Sequence, residues 1–168
     1  MVACLNWKPI NVKIREIGLL ILCILITLGA GGLGGFATAT SIDGWYTTIN
    51  KPSFNPPNYL FGPVWTFLYF LMGFALFAII RLPKSSRKKK YALIFIVQLV
   101  LNIFWSFLFF KFQRIDLAAL EMLVLWFFIL AMIIGLVKFN KLIGLLQIPY
   151  LLWVTFAFIL NCSIFYLN

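Results

Sequence analysis

Apolar residues run through five long stretches of this chain, and charged residues fall almost entirely between them. No charge occurs from Ile17 to Ile42, nor from Tyr91 to Phe110. A helix rises 1.5 Å per residue, so it needs roughly 20 apolar residues to cross a bilayer core. The pattern therefore predicts spanning helices at about 17–39, 60–80, 91–110, 117–137 and 142–167. Pro63 is tolerable in the first turn of the second helix, and Pro149 is expected to kink the fifth. Residues 1–16 are mixed, with Lys8, Lys13, Arg15 and Glu16, and read as an interfacial tail with Trp7 at headgroup level. The expected fold is an all-α membrane protein: a tail over 1–16 and one bundle of five transmembrane helices over 17–168.

The first two helices are joined by a proline-rich connection within Trp45 to Tyr69, which holds Pro52, Pro56, Pro57 and Pro63 and the lone cation Lys51. Proline fixes φ and removes a donor, so the part from Lys51 to Pro57 reads as rigid and extended. A connection of about twenty residues is uncommon in a compact fold and usually forms a lid or binding loop.

Composition agrees with lipid as the main solvent: of 168 residues, 64% are hydrophobic and 11% charged, more apolar surface than a soluble domain of this size hides. The chain has no histidine, which excludes His-ligated metals, His-ligated haem and Ser-His-Asp chemistry. Cys4, Cys23 and Cys162 lie far apart and form no metal or redox spacing. The net charge of +10 does not argue for nucleic acid, because the basic residues sit at the ends of the apolar runs. Eleven of the fourteen Lys and Arg residues fall on one side of a five-span topology. The positive-inside rule then puts the N-terminus in the cytoplasm, with the proline loop and the C-terminus outside. The run Arg87 to Lys90 suits anionic lipid headgroups. The basic start leads into an apolar run too long for a cleavable signal, and with no transit-peptide pattern the charge asymmetry points to a prokaryotic plasma membrane.

Few residues could carry chemistry. Counted by depth, Trp65, Asn102, Trp105, Ser106, Glu121, Trp153 and Asn161 could face one cavity under the proline loop. Lipid cannot satisfy polar groups, so they turn to a bundle interior. Gln98 is one turn before Asn102, and a face of Gln98, Asn102, Trp105 and Ser106 reads as a cavity wall. Asn102 and Ser106 are equally readable as bonds between helices, and Glu121 as an interfacial acid reaching water. Gly31 and Gly35 form a G-x-x-x-G pair, serving internal packing or a dimer contact. Such a cavity suits a large, flat, apolar ligand stacked on rings and oriented by a few polar groups. No ion path, nucleotide loop or catalytic carboxylate pair is visible.

From Trp45 onward the sequence resembles the TspO/MBR family of translocator and tryptophan-rich sensory proteins. The resemblance rests on W-Y at 45–46, K-P-S-F-N-P-P at 51–57, G-P-V-W-x-x-L-Y at 62–69, Q-L-x-L-N-x-x-W-S at 98–106, L-A-x-x-E at 117–121 and P-Y-L-L-W-V-T-F-A-x-x-L-N at 149–161. It implies a five-helix bundle, often a homodimer, with a pocket closed by the loop between helices one and two. Lys51, Pro52, Phe54, Pro56 and Pro57 would form that lid. The implied ligands are protoporphyrin IX-like tetrapyrroles and isoquinoline carboxamide-like molecules, with membrane lipid around the bundle and no required cofactor or metal. Tyr46, Trp65, Asn102, Trp105, Ser106, Trp153 and Ala157 match the family's pocket positions. Trp65 and Trp153 also match tryptophans that degrade protoporphyrin in light in some members.

Two departures matter. Phe54 stands where the family often has tryptophan. Cys162 stands where the C-terminal cholesterol motif needs tyrosine, and no basic residue follows Lys141, which argues against sterol recognition through that motif. Without histidine, a free-base tetrapyrrole fits better than a metalloporphyrin. Three functions follow: a membrane binding and sensing protein for tetrapyrroles with a transport or stress-regulatory role, a light- and oxygen-dependent porphyrin-degrading enzyme, and a sterol or porphyrin transporter. The last ranks lowest because no coupling-ion site is visible.

Overall fold

The computed structural model describes residues 14–39 and 41–168, so Cys4, Trp7 and most of the expected tail lie outside the described residues. The elements in order are α1 (Ile14–Ala39), the short α2 (Trp45–Thr48), α3 (Asn58–Arg81), α4 (Ser86–Ser106), α5 (Ile115–Val137), α6 (Lys141–Leu145) and α7 (Ile148–Leu167). Five segments are long and apolar enough to cross a membrane: Ile14–Ala39, Asn58–Arg81, Ser86–Lys111, Ile115–Val137 and Lys141–Leu167. The chain is a multi-pass integral membrane protein.

The helix ends differ from the hydropathy pattern where a polar group takes part in helix structure. α1 starts at Ile14, inside the expected tail, and Glu16 of its first turn meets Arg81 at the end of α3 at 3.3 Å. α4 starts at Ser86, so Arg87 to Lys90 lie in its first turns and not in a loop. Ser85 caps it by accepting from the Lys88 N–H at 3.2 Å, and the Lys88 ammonium donates to the Ile80 carbonyl, closing the turn onto α3. Past Ser106 the helix widens into a π turn over Phe107–Lys111, and Leu108, Phe109 and Phe110 are buried in succession. The fifth span is broken, not kinked at Pro149. α6 ends at Leu145, and α7 restarts with Pro149 in its first turn, where the missing N–H costs nothing. The Asn140 side chain caps α6, and the buried Gln147 amide donates to the Leu71 carbonyl at 2.9 Å, holding the break against α3.

Close approach of α1 to α3 depends on glycine. A Cβ on Gly73 would lie 2.8 Å from the Cα of Ile24, and one on Gly31 would lie 2.5 Å from the Tyr69 ring. The main core joins Leu68 and Met72 of α3, Phe95 of α4, Leu125 and Ile129 of α5 and Tyr150 and Val154 of α7. A second apolar cluster, with Tyr46, Phe109, Phe110, Leu160 and Ile164, closes the end that carries the proline loop.

Candidate functional site

At the proline-loop end, α1, α3, α4 and α7 enclose a cavity of about 540 Å³. α1 supplies a glycine-rich wall through Gly31, Gly32, Gly34 and Gly35. Gly31 makes room for the Tyr69 ring, and a Cβ on Gly34 would press on the Ser106 Oγ at 3.1 Å. Of the G-x-x-x-G pair, Gly31 thus serves internal packing, while a Cβ on Gly35 would meet open space beside the cavity. α5 contributes no residue to the lining.

Tyr46, Trp65, Asn102, Trp105, Ser106, Trp153 and Ala157 all line this one cavity, although they come from α2, α3, α4 and α7. The two tryptophans sit in aromatic company. Trp65 lies 5.9 Å from the Tyr69 ring and 6.4 Å from Tyr150, and Trp153 lies 6.2 Å from Phe61 and 5.4 Å from Phe156. The Trp153 Nε1 is buried with no hydrogen-bond partner among the described residues. Trp105 stacks on Phe109 at 5.2 Å and donates through Nε1 to the Asn161 Oδ1 at 3.2 Å. Asn161 also lines the cavity and donates to the Ile115 carbonyl at 2.9 Å.

Two residues expected on the wall are not there. Gln98 is fully buried behind it, hydrogen-bonded to the Tyr150 hydroxyl. Glu121 neither lines the cavity nor reaches water as an interfacial acid. It is 9% exposed, and both carboxyl oxygens lack a hydrogen-bond partner among the described residues. Spacing allowed both to face the cavity, but Gln98 turns to Tyr150 and Met72 instead, and α5, which carries Glu121, packs on α4 and α7 without lining the cavity.

The loop residues expected as a lid, Lys51, Pro52, Phe54, Pro56 and Pro57, are also absent from the lining. The loop runs along α7 instead. Phe54 meets Phe156 at 6.3 Å, and Pro52 shares a shallow groove with Phe158, Cys162 and Tyr166. The Asn50 N–H donates to the Asn168 side chain at 2.9 Å, and Asn168 donates back to the Asn50 carbonyl at 3.0 Å. The loop touches the cavity lining at Tyr46. The Tyr46 hydroxyl donates to the Asn55 Oδ1 at 2.7 Å, and the Lys51 ammonium donates to the Tyr46 carbonyl at 2.6 Å while lying 4.8 Å from its ring. Burial pushes the Tyr46 phenol up to about 12, with the Asn55 hydrogen bond pulling the other way. Asn55 and the buried tyrosines Tyr69 and Tyr150 are the residues that spacing missed. The motifs K-P-S-F-N-P-P, G-P-V-W-x-x-L-Y and P-Y-L-L-W do contain Asn55, Tyr69 and Tyr150.

No charged side chain is among the lining residues. A neutral wall of rings with a few hydroxyls and amides can hold a flat apolar body and orient it at one polar end.

Comparison with known proteins places the chain in a family. The TspO/MBR family model matches residues 19–167. The chain is 38% identical over 155 residues to the tryptophan-rich protein TspO of Chlorobaculum tepidum, covering 92% of this chain and 98% of that one. It is 40% identical over 151 residues to the tryptophan-rich protein TspO of Archaeoglobus fulgidus, covering 89% and 96%. It is 30% identical over 138 residues to the human translocator protein, covering 79% and 82%. A family match across nearly the whole membrane domain, with two relatives aligned over almost their full length, means that the chain belongs to the TspO/MBR family.

Proposed function

We propose that this protein binds and senses flat, apolar ligands of the protoporphyrin IX class in the α1–α3–α4–α7 cavity, with transport or stress regulation as the downstream role. The observation that carries this reading is the convergence of Tyr46, Trp65, Asn102, Trp105, Ser106, Trp153 and Ala157 on one uncharged cavity. Rings supply stacking area, and Asn102 and Ser106 supply orientation. The loop closes the site indirectly, with Lys51 and Asn55 holding Tyr46 in the wall. The charge asymmetry supports a prokaryotic plasma membrane with the cavity end outside.

Absorbance titration of the purified protein with protoporphyrin IX, in darkness and under light, tests the proposal. Saturable binding with an unchanged spectrum under light is expected. A titration that never saturates would remove the tetrapyrrole assignment.

One observation favours a second reading, in which the protein degrades porphyrin with light and oxygen. Trp65 and Trp153 line the same cavity, so both indoles would flank one bound ring and exchange electrons with its excited state. Under that reading the porphyrin band decays faster in light than in detergent alone. The double variant Trp65→Phe, Trp153→Phe then binds but no longer bleaches. Equal bleaching by the double variant would exclude these residues as the reacting groups.

A further inference from the structure

The end of the bundle away from the proline loop carries two turns, one between α3 and α4 and one between α5 and α6. Lys84, Arg87, Lys89 and Lys90 are exposed on or beside the first, and Lys138 and Lys141 on the second. Two other cations at this end are already engaged. Arg81 meets Glu16 at 3.3 Å, and Lys88 donates to the Ile80 carbonyl. The remaining acids, Asp43, Asp116 and Glu121, follow α1 or lie in the first turns of α5, towards the proline loop. Among the described residues, none of the six exposed cations forms an ion pair. The two turns also form one surface. The Tyr91 ring of α4 occupies the space that a side chain at Gly135 of α5 would need, and it meets the Phe139 ring edge-on at 5.2 Å. Lys90 precedes Tyr91 and Lys138 precedes Phe139, so one cation from each turn stands beside this aromatic contact. Further into the bilayer the same two helices show lipid Leu93 and Ile96 on α4 and Phe127 and Ile134 on α5, each more than half exposed. Topology asks for Lys and Arg at this end, but it does not ask the two groups to meet. Like charges brought together repel, and a bound polyanion relieves them.

We propose that this surface binds a lipid with two phosphodiesters on one headgroup, of the cardiolipin class, with Lys90 and Lys138 each taking one phosphate and the acyl chains lying over Leu93, Ile96, Phe127 and Ile134. A lysine ammonium is a compact point charge that suits phosphate, and basic surface between spanning helices suits such headgroups. A lipid with one phosphate satisfies one turn at a time. A lipid with two engages both, and its second contact is made at the high effective concentration that the first one sets. This surface lies at the opposite end of the bundle from the cavity and does not rest on the ligand reading.

The test titrates the purified full-length protein, in an uncharged detergent, with tetraoleoyl cardiolipin and, at equal phosphate, with dioleoyl phosphatidylglycerol. Native mass spectrometry counts the bound lipid. Cardiolipin is expected to bind about tenfold more tightly per phosphate, because one headgroup reaches both turns. The double variant Lys90→Gln, Lys138→Gln should weaken cardiolipin about thirtyfold, since each lysine is worth about fivefold at an anionic headgroup. Lys90→Arg with Lys138→Arg keeps both charges and should keep the binding. Lys111→Gln with Arg114→Gln removes the same charge from the proline-loop end and should leave cardiolipin binding unchanged. Equal affinity of the two lipids per phosphate would overturn the proposal, as would full cardiolipin binding by the Lys90→Gln, Lys138→Gln variant. An equal loss in the Lys111→Gln, Arg114→Gln variant would assign the effect to net charge and overturn it as well. None of these outcomes bears on ligand binding in the cavity.

Discussion

One amide, that of Asn161, ties α4, α5 and α7 together at the rim of the cavity. Asn161→Leu leaves the Trp105 indole N–H without its acceptor and takes from the Ile115 carbonyl the donor that it has from outside its own helix. A loss of about 1–3 kcal/mol is expected for each buried group left unpaired. Thermal unfolding in detergent should show it as a lowered midpoint, and an unchanged midpoint would mean that Asn161 carries no structural load. Tyr46 makes a pH-dependent contribution of known sign. Its folded phenol is raised to about 12 by burial, above the ordinary value of 10. The folded state therefore holds this proton more tightly than the unfolded one, and the contribution is intact below pH 10 and falls away between pH 10 and 12. Wild type should lose stability across that window more steeply than Tyr46→Phe, and parallel curves would show that Tyr46 is not the group responsible. At this scale the sequence was legible where a polar residue sits deep in an apolar run, as Asn102, Ser106 and Asn161 do. Tyr69 and Tyr150 were carried only inside the motifs G-P-V-W-x-x-L-Y and P-Y-L-L-W, because a tyrosine is mostly ring and blends into an apolar run. Gln98 and Glu121 were seen to face inward, but spacing along one helix does not say which neighbour it faces.

Between helices, the decisive positions are those where backbones nearly touch. A Cβ at Gly73 would meet the Ile24 side chain at 2.6 Å and its Cα at 2.8 Å, and backbone cannot rotate aside as a side-chain tip can. Gly73→Ala should cost about 1–3 kcal/mol through forced separation of α1 and α3. Gly29→Ala is the control, because its Cβ meets nothing within 4 Å and helix propensity favours alanine. Equal midpoints for the two variants would show that the crossing yields without cost. Apolar runs made the five spans legible, since lipid imposes one length and one polarity on every crossing. They could not show the break between α6 and α7, because its one polar residue, Gln147, is flanked by apolar residues on both sides. The signals there were local: an Asn140 that caps and a Gly144 whose Cβ would sit 2.7 Å from the Val137 nitrogen. The π turn at Phe107–Lys111 left no pattern to read, since Phe-Leu-Phe-Phe is apolar at every angle.

Across the whole molecule, the two ends of the bundle differ in kind. One end carries the proline loop, the Asn50–Asn168 bonds and the cavity. The other carries exposed Lys84, Arg87, Lys89 and Lys90. The cations at α4 stand at a helix N-terminus, where the dipole disfavours them, so helix stability does not account for their position. Topology does, since Lys and Arg near span ends resist translocation. The cavity end should therefore face away from the cytoplasm. The check is labelling of single cysteines, placed by Ser53→Cys or Ser86→Cys in a chain with Cys4, Cys23 and Cys162 replaced by alanine. A membrane-impermeant maleimide should label Ser53→Cys in intact cells and Ser86→Cys only after permeabilisation. The reverse pattern would invert the orientation and put ligand access on the cytoplasmic side. If charge sets this direction, changing Lys84, Arg87, Lys89 and Lys90 to Gln should give mixed labelling at both positions. Unchanged labelling would move the determinant to Lys8 and Lys13 ahead of the first span and Arg15 in its first turn.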